Sequence, residues 1–268
     1  MGRQKRESLG RFNDLQEFVR QARSVETLEG LHALLESLVG ELGFSYFALF
    51  HHVVSGARSV VRLHNYRPEW QETVMKRKYF LIDPVHWVSQ RSAAGFHWSE
   101  FPRFLALSDK QREYMEEAKR ADITAGFTVP MNVPGEYPGS ISFAVRSGLE
   151  FPHESLPVAN YLAPLAFEAA NRLCCGRRAE EPKGRIGLHL TTRQLDCITL
   201  VAQGKSDVDI GAILGLSPAT VRFHVDNARE KLNVATRTQL VVGALYANQL
   251  TFAEILPDGP LGRPSQSR

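Results

Sequence analysis

The chain of 268 residues is long enough for one large domain or two smaller ones. Hydrophobic residues make up 43% of it and charged residues 23%, proportions that exclude collagen-like, coiled-coil and wholly disordered chains. The net charge of +3 is compatible with a nucleic-acid partner but does not by itself indicate one.

No apolar run in the sequence approaches the ~20 residues that are needed to cross a bilayer. No apolar segment follows the basic residues Arg3, Lys5 and Arg6, so the sequence shows no secretory signal. We therefore expect a cytoplasmic protein without a membrane partner. The three cysteines have neither metal-ligand nor disulfide-framework spacing, and we expect no metal site.

The first part of the chain mixes helical and strand patterns. Apolar residues at helical spacing predict helices over residues 9–22 and 28–42. Aromatic and β-branched residues predict strands over 45–54 and 60–65. Pro68 then occupies the position of a helix start.

The mixture of helical and strand patterns continues up to residue 175. Ser108 and Gln111 have capping-box spacing and predict another helix. Strands over 124–133 and 140–145 and a helix over 154–173 follow. The order predicts an α+β fold, in which an N-terminal α/β/α sandwich with an antiparallel sheet is joined to an all-α domain.

A charged, glycine-bearing stretch without apolar periodicity, residues 176–188, predicts a linker. It separates a domain over residues 1–175 from a second domain over residues 189–255. Residues 256–268 have the composition of a disordered tail.

The second domain contains four short helices with distinct start and stop signals. A helix over 207–214, a tight turn and a longer helix over 218–232 have the helix-turn-helix arrangement, in which the second helix enters the DNA major groove. The start signals are Thr191 with Gln194, Ser206, Ser217 with Pro218, and Thr236 with Gln239.

The longer helix has the side chains that DNA contact requires. Its amino end offers free backbone amides and hydroxyl groups to a phosphate, and Arg222, one turn further on, can reach a guanine edge. Basic residues nearby can add salt-dependent phosphate contacts. The alternative is an ordinary helical domain with a charged, solvated face. The candidate DNA contacts are Lys205, Ser217, Thr220, Arg222, Arg229 and Lys231.

A set of positions in this domain supports the DNA-binding interpretation. They are Leu190, Thr191, Arg193, Gly204, Lys205, Ser206, Ile210, Leu214, Ser217, Thr220, Val221, His224, Lys231, Leu232 and Arg237. In this set the domain resembles the DNA-binding domain of LuxR-type transcription regulators. The resemblance implies a homodimer that binds a palindromic promoter site on double-stranded DNA, with RNA polymerase as a further partner.

The first domain also contains a set of positions, in a fixed order along the chain, that indicates a family. It consists of Tyr66, Trp70, Asp83, Pro84, Trp98, Gly126, Pro130, Gly139 and Ser142. In this set the domain resembles the autoinducer-binding domain of the quorum-sensing LuxR group, which binds N-acyl-homoserine lactones. A phosphoacceptor receiver domain would instead alternate strands with helices and carry acidic residues after its first strand.

The resemblance implies a ligand site formed by five residues. The amide N–H of the lactone needs a buried acceptor, and the carboxylate of Asp83 is the strongest available. The indole N–H of Trp70 can donate to the lactone carbonyl, and the hydroxyls of Tyr66 and Ser142 suit the amide carbonyl. Trp98 can close the ring side of the site.

The acyl chain would need an apolar tunnel. Val85 stands where several relatives carry a threonine or serine, which argues against a 3-oxo chain and leaves aryl or branched acyl groups open. The candidate tunnel residues are Phe47, Leu49, Phe101, Phe104 and Val129.

We therefore expect a ligand-responsive, DNA-binding regulator of quorum sensing that is not an enzyme and needs no cofactor. Three alternatives stay open. The first is a LuxR-type regulator of a non-lactone ligand, and the second is an interaction module without affinity for DNA. The third is an enzyme that uses Asp83 with His86, for which no zinc-protease, P-loop or nucleophile-elbow motif is present.

Overall fold

Among the described residues, five short strands form one antiparallel sheet in the first part of the chain. Their order across the sheet is β2-β1-β5-β4-β3. The two-residue strand β3 is absent from the sequence prediction, because two residues are too few to show an alternating pattern. The strands are β1 (Tyr46–His51), β2 (Arg62–His64), β3 (Phe96–His97), β4 (Ala125–Met131) and β5 (Gly139–Val145).

The computed structural model describes residues 15–52, 60–133, 137–174 and 189–256. The chain divides into two units, Met1–Ala179 and Glu180–Arg268. The linker predicted at 176–188, residues 53–59 between β1 and β2, and the predicted tail beyond residue 256 lie outside the described residues.

Helices cover both faces of the sheet. Several of them begin where the sequence predicts: Pro68 is in the first turn of its helix, and Ser108 with Gln111 forms a capping box. Gly43, at φ +82°, follows the end of a helix as predicted. The helices are α1 (residues 15–24), α2 (Leu28–Glu41), α3 (Pro68–Lys76), α4 (Pro84–Ser89), α5 (Phe101–Phe104), α6 (Asp109–Arg120) and α7 (Leu156–Cys174).

The main hydrophobic core lies between the sheet and helices α1, α2 and α7. The opposite face of the sheet packs against α3, α4, α5 and α6 through two smaller apolar clusters. This is the predicted α/β/α sandwich with an antiparallel sheet.

The alternation of side chains along a strand decides which residues enter the main core. Phe47 and Leu49 of β1 and Val129 of β4 point into it. They therefore lie on the face opposite to the ligand cavity described below, and their prediction as tunnel residues is wrong. Phe101 and Phe104 pack in a separate cluster beside that cavity and do not line it either.

In the described part of the second unit, four helices begin and end where the start and stop signals of the sequence predict, and a single-turn helix follows them. Gly215, at φ +67°, ends the second of these helices, and the next one begins after the N-cap Ser217. The last element, α12, was not predicted. The helices are α8 (Thr192–Ala202), α9 (Asp207–Leu214), α10 (Pro218–Leu232), α11 (Arg237–Tyr246) and α12 (Phe252–Ile255).

The core of this unit is apolar and continuous. Val221, Val225 and Ala228 of α10 are buried in it and form the inner stripe that the sequence predicts. Within the described part of the chain, no helix is both long and apolar enough to span a membrane.

Candidate ligand cavity and DNA-reading helix

A cavity of about 280 Å³ lies beside the sheet, on the face away from the main core. Ala48 and Phe50 of β1 and Ser140 and Ser142 of β5 line it from the sheet. All five predicted ligand contacts line this cavity, namely Tyr66, Trp70, Asp83, Trp98 and Ser142. Its size is close to the lower end of the roughly 300–1,000 Å³ that is typical of ligand pockets.

Asp83 is fixed by its position at the amino end of α4. It is the N-cap, and Pro84 follows it in the first turn. The backbone N–H of Val85 donates to Asp83 Oδ1 at 2.8 Å, and the Tyr114 hydroxyl donates to Oδ2 at 3.1 Å. Each carboxylate oxygen has two lone pairs, so the group can still accept an N–H from a ligand.

Two tyrosines beside Asp83 are kept protonated. Burial and the negative charge of Asp83 raise the pKa of Tyr66, and the same two causes raise the pKa of Tyr114. Both phenols are therefore hydrogen-bond donors at neutral pH. Tyr114 comes from α6 and also lines the cavity, but no motif in the sequence indicates it.

Trp70 belongs to an aromatic group around Asp83. Its side chain is only 5% exposed and stacks on Tyr114, with ring centroids 5.7 Å apart and planes 22° apart. Tyr79 packs against Tyr114 at 5.0 Å. Such packing holds the large rings in fixed positions around the carboxylate.

Trp98 and Ser142 are joined through a residue that the sequence analysis missed. The Trp98 indole Nε1–H donates to Thr128 Oγ1 at 2.9 Å, and Thr128 Oγ1 lies 2.8 Å from Ser142 Oγ. Because the indole supplies one proton to Thr128, the Thr128 hydroxyl can donate to Ser142. The proton of the Ser142 hydroxyl is then available to a ligand carbonyl.

The position of Trp98 explains the glycine at 126. A Cβ at Gly126 would lie 2.4 Å from Trp98 Cε2, closer than any real contact allows. The absence of a side chain on this residue of β4 thus lets the indole lie against the strand. Gly126 is one of the positions on which the family resemblance depends.

Four histidines also line the cavity: His51, His52, His64 and His86. Burial, followed by the charges of His86 and His51, lowers the pKa of His52 to about 2. Among the described residues, no three His, Cys, Asp or Glu side chains are grouped to hold a metal ion.

Acidification is expected to destabilise the first unit. His52 stays neutral in the folded protein, whereas in the unfolded chain it takes up a proton below its ordinary pKa of about 6.5. The contribution of His52 to the free energy of unfolding is therefore complete above pH 6.5. It is lost as the pH falls below that value, by up to ~1.4 kcal/mol per pH unit. Burial lowers the pKa of His64 and of His97 in the same direction.

Urea unfolding followed by tryptophan fluorescence between pH 7.5 and 5 measures this effect. The three tryptophans, Trp70, Trp87 and Trp98, all lie in the first unit, so the signal reports on it alone. His52→Phe should flatten the dependence on pH. An equally steep dependence in that variant would contradict the assignment to His52.

In the second unit, α9 and α10 form the predicted helix-turn-helix. The Ser217 hydroxyl accepts the backbone N–H of Thr220 at 3.0 Å and lies 2.8 Å from the Thr220 hydroxyl. Arg222 is exposed on the face of α10 away from the core, and the neighbouring Phe223 is 61% exposed. The side chains on this face do not pack in the core of the unit, and they can bind base edges in a major groove.

Two of the predicted phosphate contacts have partners inside the unit. Arg229 Nη1 bonds Asp226 at 2.9 Å, and its Nη2 donates to the carbonyl of Ala235. Lys231 Nζ donates to Gln194 Oε1 at 3.1 Å and thereby ties α10 to α8. Lys205 is exposed before α9, and no hydrogen bond or ion pair joins its side chain to another of the described residues, so it is the best placed of the three basic residues.

Arg222→Ala is expected to relax sequence preference at one or two base pairs, at a cost of ~1–3 kcal/mol in binding the preferred site. Lys205→Ala should weaken binding evenly across sequences and reduce its dependence on salt. A binding-site selection experiment at two salt concentrations measures both effects. Unchanged sequence preference in Arg222→Ala would show that another residue reads the bases.

Taken together, the cavity unit and the helix-turn-helix unit define a ligand-sensing, DNA-binding regulator. The chain matches the autoinducer binding domain over residues 27–170 and the luxR family of bacterial regulatory proteins over residues 188–244. It belongs to the LuxR family of autoinducer-binding transcriptional regulators. Members of this family regulate transcription and are not enzymes, so the catalytic interpretation of Asp83 with His86 is abandoned.

Similar proteins of known role cover most of the chain. The transcriptional activator protein VanR of Vibrio anguillarum is 26% identical over 233 residues, 86% of this chain and 93% of VanR. The quorum-sensing regulator RhlR of Pseudomonas aeruginosa is 26% identical over 227 residues, 83% of this chain and 89% of RhlR.

Solved structures show the same fold. Escherichia coli SdiA is 23% identical, with a TM-score of 0.56 over 90% of this chain and 99% of that chain. SdiA in complex with octanoyl-rac-glycerol is 22% identical, with a TM-score of 0.53 over 88% of this chain and 95% of that chain.

Proposed function

We propose that the autoinducer of this regulator is an N-acyl-homoserine lactone, bound in the cavity beside the sheet. The observation that carries the proposal is that one cavity is lined by all five residues: Tyr66, Trp70, Asp83, Trp98 and Ser142. The carboxylate supplies the acceptor for the amide N–H, and the protonated phenol and the hydroxyl supply donors for carbonyl oxygens. The Trp70 indole is the donor for the lactone carbonyl.

The regulator acts in this proposal as a homodimer in the cytoplasm, without a cofactor. A pair of α10 helices related by two-fold symmetry reads a palindromic promoter site with half-sites about one helical turn apart. RNA polymerase is the partner through which the bound dimer changes transcription. The four-helix unit supports this proposal by leaving the outer face of α10 exposed.

Mass spectrometry of the small molecule that co-purifies with the protein tests the ligand directly. We expect a homoserine lactone ring with an acyl chain, and we expect the loaded protein to sediment as a dimer that binds a palindromic site. A loaded protein that stays monomeric at micromolar concentration would contradict the dimer.

A second candidate is an acyl ligand without a lactone ring. SdiA, which has the same fold, is known in complex with octanoyl-rac-glycerol. An acylglycerol offers hydroxyl and ester groups to the same acceptor and donors. The mass of the extracted molecule and its sensitivity to a lactonase distinguish the two candidates.

A further inference from the structure

Phe223 is a large apolar residue on the outer side of α10, and it is 61% exposed. Among the described residues, its ring contacts only the ring of the adjacent His224, with centroids 5.9 Å apart. Exposure alone does not indicate a binding residue, because single apolar side chains are common on protein surfaces. The position of Phe223 on the helix gives the exposure its meaning.

The geometry of the α-helix places Phe223 opposite the core of the second unit. Each residue advances by about 100° round the helix axis, so Phe223, two residues from Val221 and two from Val225, lies about 160° away from both. Val221 and Val225 are buried in the core. The phenyl ring therefore lies at the centre of the outer face, whereas Arg222 lies nearer the edge of that face.

Phe223 also lies in the part of α10 that reaches the bases in a helix-turn-helix. The amino-terminal residues of the second helix make the base contacts in this motif, and Phe223 is in the first half of Pro218–Leu232. Ala219, one turn earlier, and Arg222 are exposed as well. Side chains four residues apart share a helix face, so Ala219 and Phe223 form an apolar strip beside the guanidinium of Arg222.

The base edges in the major groove limit what a phenyl ring can recognise. The ring has no hydrogen-bonding atom, so it cannot pair with the donors and acceptors of the bases and would only remove water from them. The C5-methyl group of thymine is the one apolar group that the base pairs present in this groove. Contact between the ring and this methyl group removes apolar surface of both from water.

We propose that Phe223 is a specificity-determining residue that contacts the C5-methyl group of a thymine in the major groove. This inference rests on the DNA-binding function of the regulator. It adds to the hydrogen bonds of Arg222 an apolar contact with a neighbouring base pair, because the two side chains leave the same turn of α10.

The test removes single methyl groups from the DNA. Binding-site selection with the full-length protein, as purified, gives the preferred duplex, and each thymine is then replaced in turn by deoxyuridine, which lacks only the C5-methyl group. We expect one replacement in a half-site to weaken binding by about three- to fivefold, as the loss of one buried methyl group implies. Phe223→Ala should bind the thymine and deoxyuridine duplexes equally, and Phe223→Leu should keep part of the preference.

Phe252→Ala is the matched control, because Phe252 is 69% exposed in the same unit but lies outside the helix-turn-helix. It should keep the full preference for thymine, and circular dichroism confirms that each variant is folded. Equal binding of all deoxyuridine duplexes by the original protein, or an unchanged preference in Phe223→Ala, overturns the role of Phe223 alone. A folded protein that prefers no DNA sequence overturns the DNA-binding function and this role with it.

Discussion

The Asp83→Asn protein is expected to bind N-acyl-homoserine lactones roughly ten- to a hundredfold more weakly while folding normally. The amide oxygen of asparagine can keep the bond from the Val85 N–H at the helix start, and its NH₂ can donate to the Tyr114 hydroxyl. The ligand, however, loses a charged acceptor for its amide N–H. Hydrogen bonds to charged groups contribute ~1.5–3 kcal/mol, which is the expected loss of binding free energy.

A dose-response curve with a promoter-fused reporter, together with direct ligand binding, measures this change. Asp122→Asn is the matched control: Asp122 pairs with Arg67 at 3.1 Å and does not line the cavity. Trp70→Phe should weaken the response as well, because it removes the indole donor and keeps most of the packing. Unchanged dose-response curves in Asp83→Asn and in Trp70→Phe would remove the lactone hypothesis.

Ligand is expected to raise the melting temperature of the first unit by roughly 5–11 °C. A ligand at about 100 times its dissociation constant stabilises the folded state by about 2.7 kcal/mol, and each kilocalorie shifts a unit of this size by roughly 2–4 °C. The acyl chain would fill apolar volume between the sheet and its helices, and such volume costs stability when it is left unfilled. Its amide would also pair with the half-buried carboxylate of Asp83.

Thermal unfolding across a panel of acyl-homoserine lactones measures the shift and identifies the preferred chain. The shift must grow with ligand concentration, and Asp83→Asn should reduce it at a fixed concentration. A protein that binds its promoter without ligand and shows no shift with any lactone would favour the second candidate ligand or a regulator without ligand.

Local signals in the sequence predicted most of the secondary structure. Capping pairs such as Thr191 with Gln194 and Thr236 with Gln239 form in the structure as predicted. The two members of each pair lie three residues apart, so the sequence alone shows both partners. The helix-turn-helix was predictable for the same reason, since its turn is set by Gly215, Ser217 and Pro218.

The ligand site was predictable only in part. The five residues taken from the family resemblance do meet at one cavity, but their roles as ligand contacts stay predictions. Tyr114, Thr128 and His52 were missed, because each gains its significance from a partner distant in the sequence. No spacing within the chain marks such partners.

The sequence by itself determined the order of elements, the two-domain plan and the family to which this regulator belongs. Only the tertiary structure decided which face of each strand forms the main core and which faces the cavity. A strand alternates its side chains whatever lies above and below it, so the pattern in β1 could not tell Phe47 from Phe50 as a cavity residue. The helices that pack on each face of the sheet make that choice. In the second unit, the packing of α10 against α8 likewise brings Lys231 to Gln194.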